Sequence, residues 1–387
     1  MTTEVAAPSA LSGRVTSLDA IRGVAVLGIL VMNVASFGLV DTAYIRLDFD
    51  GTETALDWLI GVFGEIVVDQ KFMGLFSMLF GAGIVLFADR AAMKSSRPIL
   101  LSLWRNLLLL IFGIAHTLIW EGDVLVIYAL CAPILIAARR APPVALAVVG
   151  TALVLASGLA AAWAQTTVDP DGAELGWYWV NEDDPSGAVS LFLLIDGFGR
   201  AIGMMLIGVA LYRSGYLHGR FPASFYRKVA LVGIAVGWAF AALGVAIAIG
   251  SDFSNDIALL HLIPNTVGMI PAVLGYSAVI ILWDAGNEGQ VAQRIRAAGQ
   301  MALTNYLTQT LLSALVLWVL LDGIDFTRTL LFIWVLLVWA AQLAWSQPWL
   351  ERFRFGPFEW LWRTATYWRV QPLRRPPADL SAAGVEA

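Results

Sequence analysis

The chain predicts an all-α bundle of about ten transmembrane helices with both termini on the cytoplasmic side. Three observations carry this. The 387 residues are 59% hydrophobic and only 14% charged, with a mean hydropathy of +0.75. A soluble domain carries about 25% charge and about 45–50% apolar residues, and a chain of this size in water has no core able to hide the surplus. Second, apolar stretches near the roughly 20 residues that a bilayer crossing needs recur along the whole chain. Third, the segments between them alternate in charge. The 35 glycines and 16 tryptophans suit lipid as the solvent, since small residues let helices approach and Trp favours the interface.

Taken in order, the expected spans are about 20–40, 60–88, 100–120, 124–138, 142–164, 188–212, 226–250, 257–283, 300–321 and 328–346. The first apolar run, Val24 to Val40, is long for a signal sequence and no small-x-small cleavage site follows it, so it reads as a retained span. The stretch from Ile60 to Val68 can lie along the surface before Asp69. Pro264 and Pro271 predict a kinked helix over 257–283, whose freed backbone groups need protein or water around them.

The loops set the orientation. Arg14; Arg90, Lys94 and Arg97; Arg139 and Arg140; Arg213, Arg220, Arg227 and Lys228; Arg294 and Arg296; and Arg374 and Arg375 form one set. Asp48 and Asp50, Glu121 and Asp123, the segment Asp169 to Asp184, Asp252 and Asp256, and Asp322 and Asp325 form the other. The sets alternate strictly, which makes the basic ends cytoplasmic. An even number of spans then returns the C-terminus to the cytoplasm. The expected organisation is a disordered tail at 1–13, one membrane domain over 14–373 and a second disordered tail at 374–387. The outer loop at about 165–187 is acidic and aromatic. Trp177, Tyr178 and Trp179 there either anchor it at the interface or cap an outer cavity.

Composition excludes several chemistries. One cysteine, Cys131, rules out an intrachain disulfide. Three scattered histidines give no metal site. The partner is the lipid bilayer, with no nucleic acid. A homodimer is compatible with the apolar faces.

Ionisable groups inside a span are costly in lipid, so they mark sites or interhelical bonds. Asp19 and Arg22 are three residues apart on one helix face, and Asn33 follows Arg22 by eleven, about 16 Å deeper on that face. Arg105 and His116 repeat the spacing, and Asp123 lies seven residues on. A carboxylate-held His is either a general base or packing glue. Asp69 and Lys71 open the second span, ahead of the Gly-rich stretch Leu75–Gly83, which reads as close packing. Asp196 and Arg200 form an i,i+4 ion pair in the sixth span. His261 and Asn265 share a face, as do Asn305 and Gln309, with Tyr306 between them. Asp69, Asp196, Arg200, His261 and Asn265 are candidates to line a polar cavity.

Four strings resemble the YeiB-like family of bacterial membrane proteins. They are Leu18–Gly23 running on to Asn33, Leu75–Gly83, Gly113–Tyr128, and Gly299–Thr310 with Gly356–Arg363. More distantly, the first-span motif is similar to the opening of membrane acyltransferases, including the lysosomal heparan-alpha-glucosaminide N-acetyltransferase and the acyltransferase-3 group. The acyltransferase-3 pattern has a catalytic His eleven residues after this Arg. Here that position holds Asn33, and His116 is the replacement. The resemblance implies acyl-CoA (acetyl-CoA) as a cytoplasmic donor in the plasma membrane of a bacterium. Its phosphates would meet cations drawn from Arg22, with Asp19 as its partner in the cofactor site, and from Arg90, Lys94, Arg97, Arg105, Arg139 and Arg140. His116, held by Asp123, would activate an acceptor hydroxyl or amine of a small molecule or glycan. Asn33, Asn305, Tyr306 and Gln309 would supply hydrogen bonds to the oxyanion or substrate. A solute transporter is the competing class, since broken helices with polar residues at mid-depth are transporter features. A scaffold or sensor is the third.

Overall fold

The computed structural model describes residues 15–93 and 97–375. The expected tail at 1–13, Arg14, Lys94 and most of the expected tail at 374–387 lie outside the described residues. Arg374 and Arg375 are described, and they pair back onto Phe353 and Arg352.

Among the described residues, all the regular structure is helical apart from that one bridge. The order is α1 (Thr16–Asn33), a single turn α2 (Ala35–Gly38), α3 (Ala55–Phe63), α4 (Lys71–Ala92), α5 (Pro98–Thr117), α6 (Leu125–Ala138), α7 (Pro143–Gln165) and α8 (Gly187–Arg213). Then come α9 (Ala223–Gly250), α10 (Leu262–Asp284), α11 (Gln290–Gln300), α12 (Ala302–Ser313), α13 (Arg328–Arg352) and α14 (Pro357–Tyr367). Among the described residues, nine helices are long and apolar enough to cross a membrane, and α6 is a shorter apolar tenth. Each of the ten expected spans overlaps one of these.

Burial sorts the spans into centre and rim. The α1 window is 67% buried inside the protein and the α5 window only 22%, so α1 is central and α5 turns Leu103, Leu107, Ile111 and Ile114 outward. In a bilayer those side chains meet lipid at no cost. Glycines set the closest crossings. A Cβ at Gly23 of α1 would overlap the Ile295 carbonyl of α11, and one at Gly299 would overlap that of Asp19. Gly81 and Gly208 do the same where α4 crosses α8, so Gly81 makes a close packing contact, while Phe76, Phe80 and Gly83 of the same stretch line a cavity.

The two sets of loops gather at opposite ends. Arg213 donates to the carbonyls of Arg139 and Ala141 at 3.0 and 2.6 Å, joining two basic loops. At the other end Arg46 donates to the Trp179 carbonyl at 3.2 Å, Gln165 to Asn255 at 2.9 Å, and the Arg328 amide to Gly51 at 2.9 Å. The 165–187 loop is folded over that end, with Trp179 fully buried.

The second span is more broken than expected. Helix α3 continues into a π-turn at Gly64–Val68, and the chain then breaks at Asp69–Gln70, with Gln70 left-handed at φ 59°. Pro264 sits in the first turn of α10, where its missing N–H leaves no bond unmade. Pro271 alone lies in the helix interior. Two amphipathic helices, α11 and α14, were not among the expected elements; at 11 residues each they are too short to span.

Candidate functional site

A cavity of about 350 Å³ opens among α1, α4, α5, the α11–α12 junction and α14. Five arginines line it: Arg22, Arg90, Arg105, Arg354 and Arg363. They come from four separate parts of the chain, and all lie at the end where the basic loops gather. Arg22 is held by Asp19 at 3.4 Å. The Arg105 guanidinium is sandwiched between the rings of Phe87 and Trp362, 4.3 and 4.0 Å from their centroids. Such stacking fixes the plane of the guanidinium and leaves its edge free for an anion. The Trp362 indole N–H donates to the Arg105 carbonyl at 2.9 Å, so α14 is fastened to α5 beside that sandwich.

Besides Asp19 behind Arg22, a carboxylate lines the cavity itself. Glu359 accepts from the Leu303 and Thr304 amides at 2.7 and 3.1 Å and from the Thr304 hydroxyl at 2.6 Å. It thereby caps the N-terminus of α12, where free N–H groups and the helix dipole favour negative charge. Burial pushes its carboxyl up, against the pull of the Thr304 and Leu303 donors.

Tyr306 and Leu125 line the inner end of the cavity. Behind them lies Asp123, a carboxylate with three donors. Its Oδ1 accepts from the Tyr306 hydroxyl at 2.9 Å and pairs with His116 Nδ1 at 2.8 Å, while Oδ2 accepts the Leu125 amide at 3.0 Å. In the neutral imidazole, a carboxylate acceptor assigns the proton to Nδ1 and leaves Nε2 with its lone pair. Nε2 is buried and has no partner among the described residues. The local chain dictates the pairing: α5 ends at Thr117, the Ile119 and Trp120 amides turn back onto the His116 carbonyl, and Asp123 serves the first amide of α6. The His116 ring lies 5.3 Å from Tyr306 and 6.0 Å from Trp120.

A second polar cluster lies at the opposite end. Lys71, fully buried, donates to the Glu65 carbonyl at 2.8 Å and to Asn265 Oδ1. Asn265 donates in turn to Asp69 at 2.9 Å. The Asp196–Arg200 ion pair forms as the spacing predicts. Burial raises the Tyr44 hydroxyl well above its ordinary value; Asp69 and Glu65 push it further, and Arg200 pulls it back. Burial raises Tyr178 likewise, with the same three charges acting on it. Asp69, Arg200 and Asn265 thus converge with Glu65, Lys71, Tyr44 and Tyr178, beneath the aromatic loop. His261 stands apart: its ring is 5.1 Å from Trp179 and its Nδ1 meets the Ile257 carbonyl at 3.3 Å.

Three candidate hydrogen-bond donors to the reaction are placed otherwise than expected. Asn305 is fully buried and committed to Ala298, Ser346 and Trp345. Gln309 is committed to the Val26 carbonyl and Gln342. Both face away from the cavity and tie α12 to α13 and α1. Asn33 is half-buried and lines neither site; its backbone carbonyl accepts the Ser36 hydroxyl. Arg354, Glu359, Trp362 and Arg363 line the cavity without being expected site residues. The string Gly356–Arg363 was a family marker only, though its spacing of charge and aromatic residues was a readable amphipathic signal.

The fold and its ionisable interior define a multi-pass membrane protein with a cationic cavity at its basic end. The chain belongs to the YeiB-like family. It is 32% identical to Escherichia coli (strain K12) YeiB over 383 residues, covering 91% of this chain and 96% of that protein. It is 28% identical to Bacillus subtilis (strain 168) YxaH, covering 95% and 98%, and 27% identical to a 39.9 kDa protein in the amylase 3′ region of Bacillus acidopullulyticus, covering 95% and 97%. The family described as "Protein of unknown function (DUF418)" matches residues 211–369, a span that includes Tyr306 and the whole of α14. No solved structure matches the chain.

Proposed function

We propose that the protein is a membrane-embedded acyltransferase taking its acyl group from cytoplasmic acyl-CoA, with acetyl-CoA the simplest donor. One observation carries the reading: a His–Asp pair with a free, buried Nε2 lies behind the inner end of an arginine-lined cavity. Arg22, Arg90, Arg354 and Arg363 suit the phosphates of the donor, and Arg105 holds a fixed plane midway. The pantetheine arm then runs inward past Phe76 and Phe80 toward Tyr306. Arg105 and His116 are eleven residues apart on one helix, about 16 Å, so phosphate and thioester ends have separate stations.

In the chemical step His116 Nε2 takes the proton of an acceptor hydroxyl or amine, glycan or small molecule, as that atom attacks the thioester carbonyl. The carbon–sulfur bond breaks as the new acyl bond forms, and the imidazolium returns the proton to the departing CoA sulfur. Asp123 keeps the imidazole in the productive tautomer. Tyr306 stands between cavity and His116, so its ring must swing for the carbonyl to arrive, and its hydroxyl is the nearest donor for the oxyanion.

The test is titration of acetyl-CoA and CoA into detergent-purified protein, read as thermal unfolding. Ligand at 100 times its Kd stabilises the folded state by about 2.7 kcal/mol. A rise in midpoint that Arg105→Ala and Arg363→Ala abolish, and that His116→Ala keeps while losing acyl transfer, is the expected result. No shift with any CoA species, or full transfer by His116→Ala, overturns the reading. The second reading is a transporter, favoured by the helix break at Asp69–Gln70 beside buried Lys71; it predicts solute flux with no acyl-CoA consumed.

A further inference from the structure

The polar cluster at the acidic end contains a pocket that acyl transfer leaves unused. It measures about 70 Å³ and is lined by Glu65, Asp69, Tyr44 and Arg328 against apolar residues of α1, α3 and α13. Its charges are present but not joined. Neither carboxylate oxygen of Glu65 has a donor among the described residues, and Asp69 has only the Asn265 amide on Oδ2. Arg328 spends Nε on the Thr52 hydroxyl at 2.8 Å and one terminal nitrogen on the Ala43 carbonyl at 2.7 Å. Lys71 below bonds neutral oxygens. Glu65, Asp69 and Arg328 are half-buried, and partly desolvated charges of opposite sign that approach a common space without pairing are costly unless something bridges them. The surroundings also keep unmet polar atoms: the Gln70 amide oxygen and Arg200 Nε are buried without partners among the described residues, and these residues are 3% and 8% exposed.

We infer that this pocket binds a small zwitterion, its ammonium on Glu65 and Asp69 and its anionic group on Arg328. The sums agree: two carboxylates offset Arg328 and Lys71, so a ligand of no net charge leaves the site balanced. A lone cation or anion does not. The shared chemistry, a primary ammonium one or two carbons from an anion, occurs in free amino acids and in ethanolamine-phosphate lipid headgroups. The inference stands apart from acyl transfer, because the pocket and the arginine cavity lie at opposite ends of the bundle.

The experiment is calorimetric titration of the full-length protein, in nanodiscs of phosphatidylglycerol, with glycine and phosphoethanolamine, beside ethanolamine, acetate and inorganic phosphate. At least one zwitterion is expected to bind about tenfold or more tighter than any single-charge fragment, as loss of one charge-assisted contact dictates. Glu65→Gln and Arg328→Gln should each weaken it by about tenfold. Should Arg328→Gln fail to fold without its Thr52 and Ala43 bonds, Arg328→Lys keeps the charge and removes the fork, and the same loss is read there. Equal binding of ethanolamine or phosphate alone, no binding of any probe, or affinities unmoved by the folded variants overturns the inference. Adding phosphatidylethanolamine to the nanodiscs then names the source. Suppressed glycine binding assigns the lipid headgroup, and unchanged binding assigns a soluble zwitterion; either leaves the pocket's chemistry as stated.

Discussion

Asp123 meets three donors at once, the Tyr306 hydroxyl, His116 and the Leu125 amide. Removing it therefore does more than delete one bond. Asp123→Ala strands the three donors in a buried site, each at about 1–3 kcal/mol before relaxation, so a loss of several kcal/mol is expected. Asp123→Asn keeps the shape and two of the contacts, and should cost about 1–2 kcal/mol. Thermal unfolding of the two variants should fall in that order, and equal midpoints for Asn and Ala would mean the carboxylate is not the hub. Spacing made part of this site legible: seven residues separate His116 from Asp123, and a tight turn brings them together. Tyr306 was harder, because nothing local ties it to a carboxylate 183 positions away. Its neighbour Asn305 looked equally good by type. One helical step rotates a side chain by about 100°, and that step decides which of the two faces the cavity and which ties α12 to α13.

At the scale of elements, spans were readable and interfacial helices were not. A span announces itself by some 20 apolar residues, whereas α11 mixes charge with small residues and α14 mixes charge with aromatics, each within 11. Yet α14 supplies a wall of the cavity through Glu359, Trp362 and Arg363. Its attachment is specific. Glu359 caps α12, and Trp104 donates to the Ala365 carbonyl at 3.1 Å while stacking on Trp368. Glu359→Ala removes an N-terminal cap, a change worth about 0.5–2 kcal/mol. Amide hydrogen exchange should then quicken at Leu303, Thr304 and along 357–367 while α5 stays protected. Uniform exchange across all of these would show that the capping contact does not hold α14 in place. The break between α3 and α4 was likewise half-visible: Asp69 marked it, but the π-turn and the left-handed Gln70 follow from tertiary contacts of Lys71 with Asn265, and no local propensity encodes them.

For the whole molecule, orientation decides which chemistry is available. The basic loops meet at one end through Arg213, Arg139 and Ala141, and the five arginines of the cavity lie at that same end. By the charge rule that end is cytoplasmic, where acyl-CoA is made. The zwitterion pocket then faces out. A reversed bundle would expose the arginines to a compartment without CoA, and the acyltransferase reading would fall with it. The chain lends itself to a direct check because its one cysteine, Cys131, is fully buried and gives no background labelling. Asp322→Cys and Arg294→Cys place single thiols on an exposed turn and on the exposed face of α11, at opposite ends. A membrane-impermeant maleimide applied to intact spheroplasts should label position 322 at once and position 294 only after permeabilisation. The opposite pattern would turn the bundle over, leaving the cavity's arginines to an external anion and favouring the transporter.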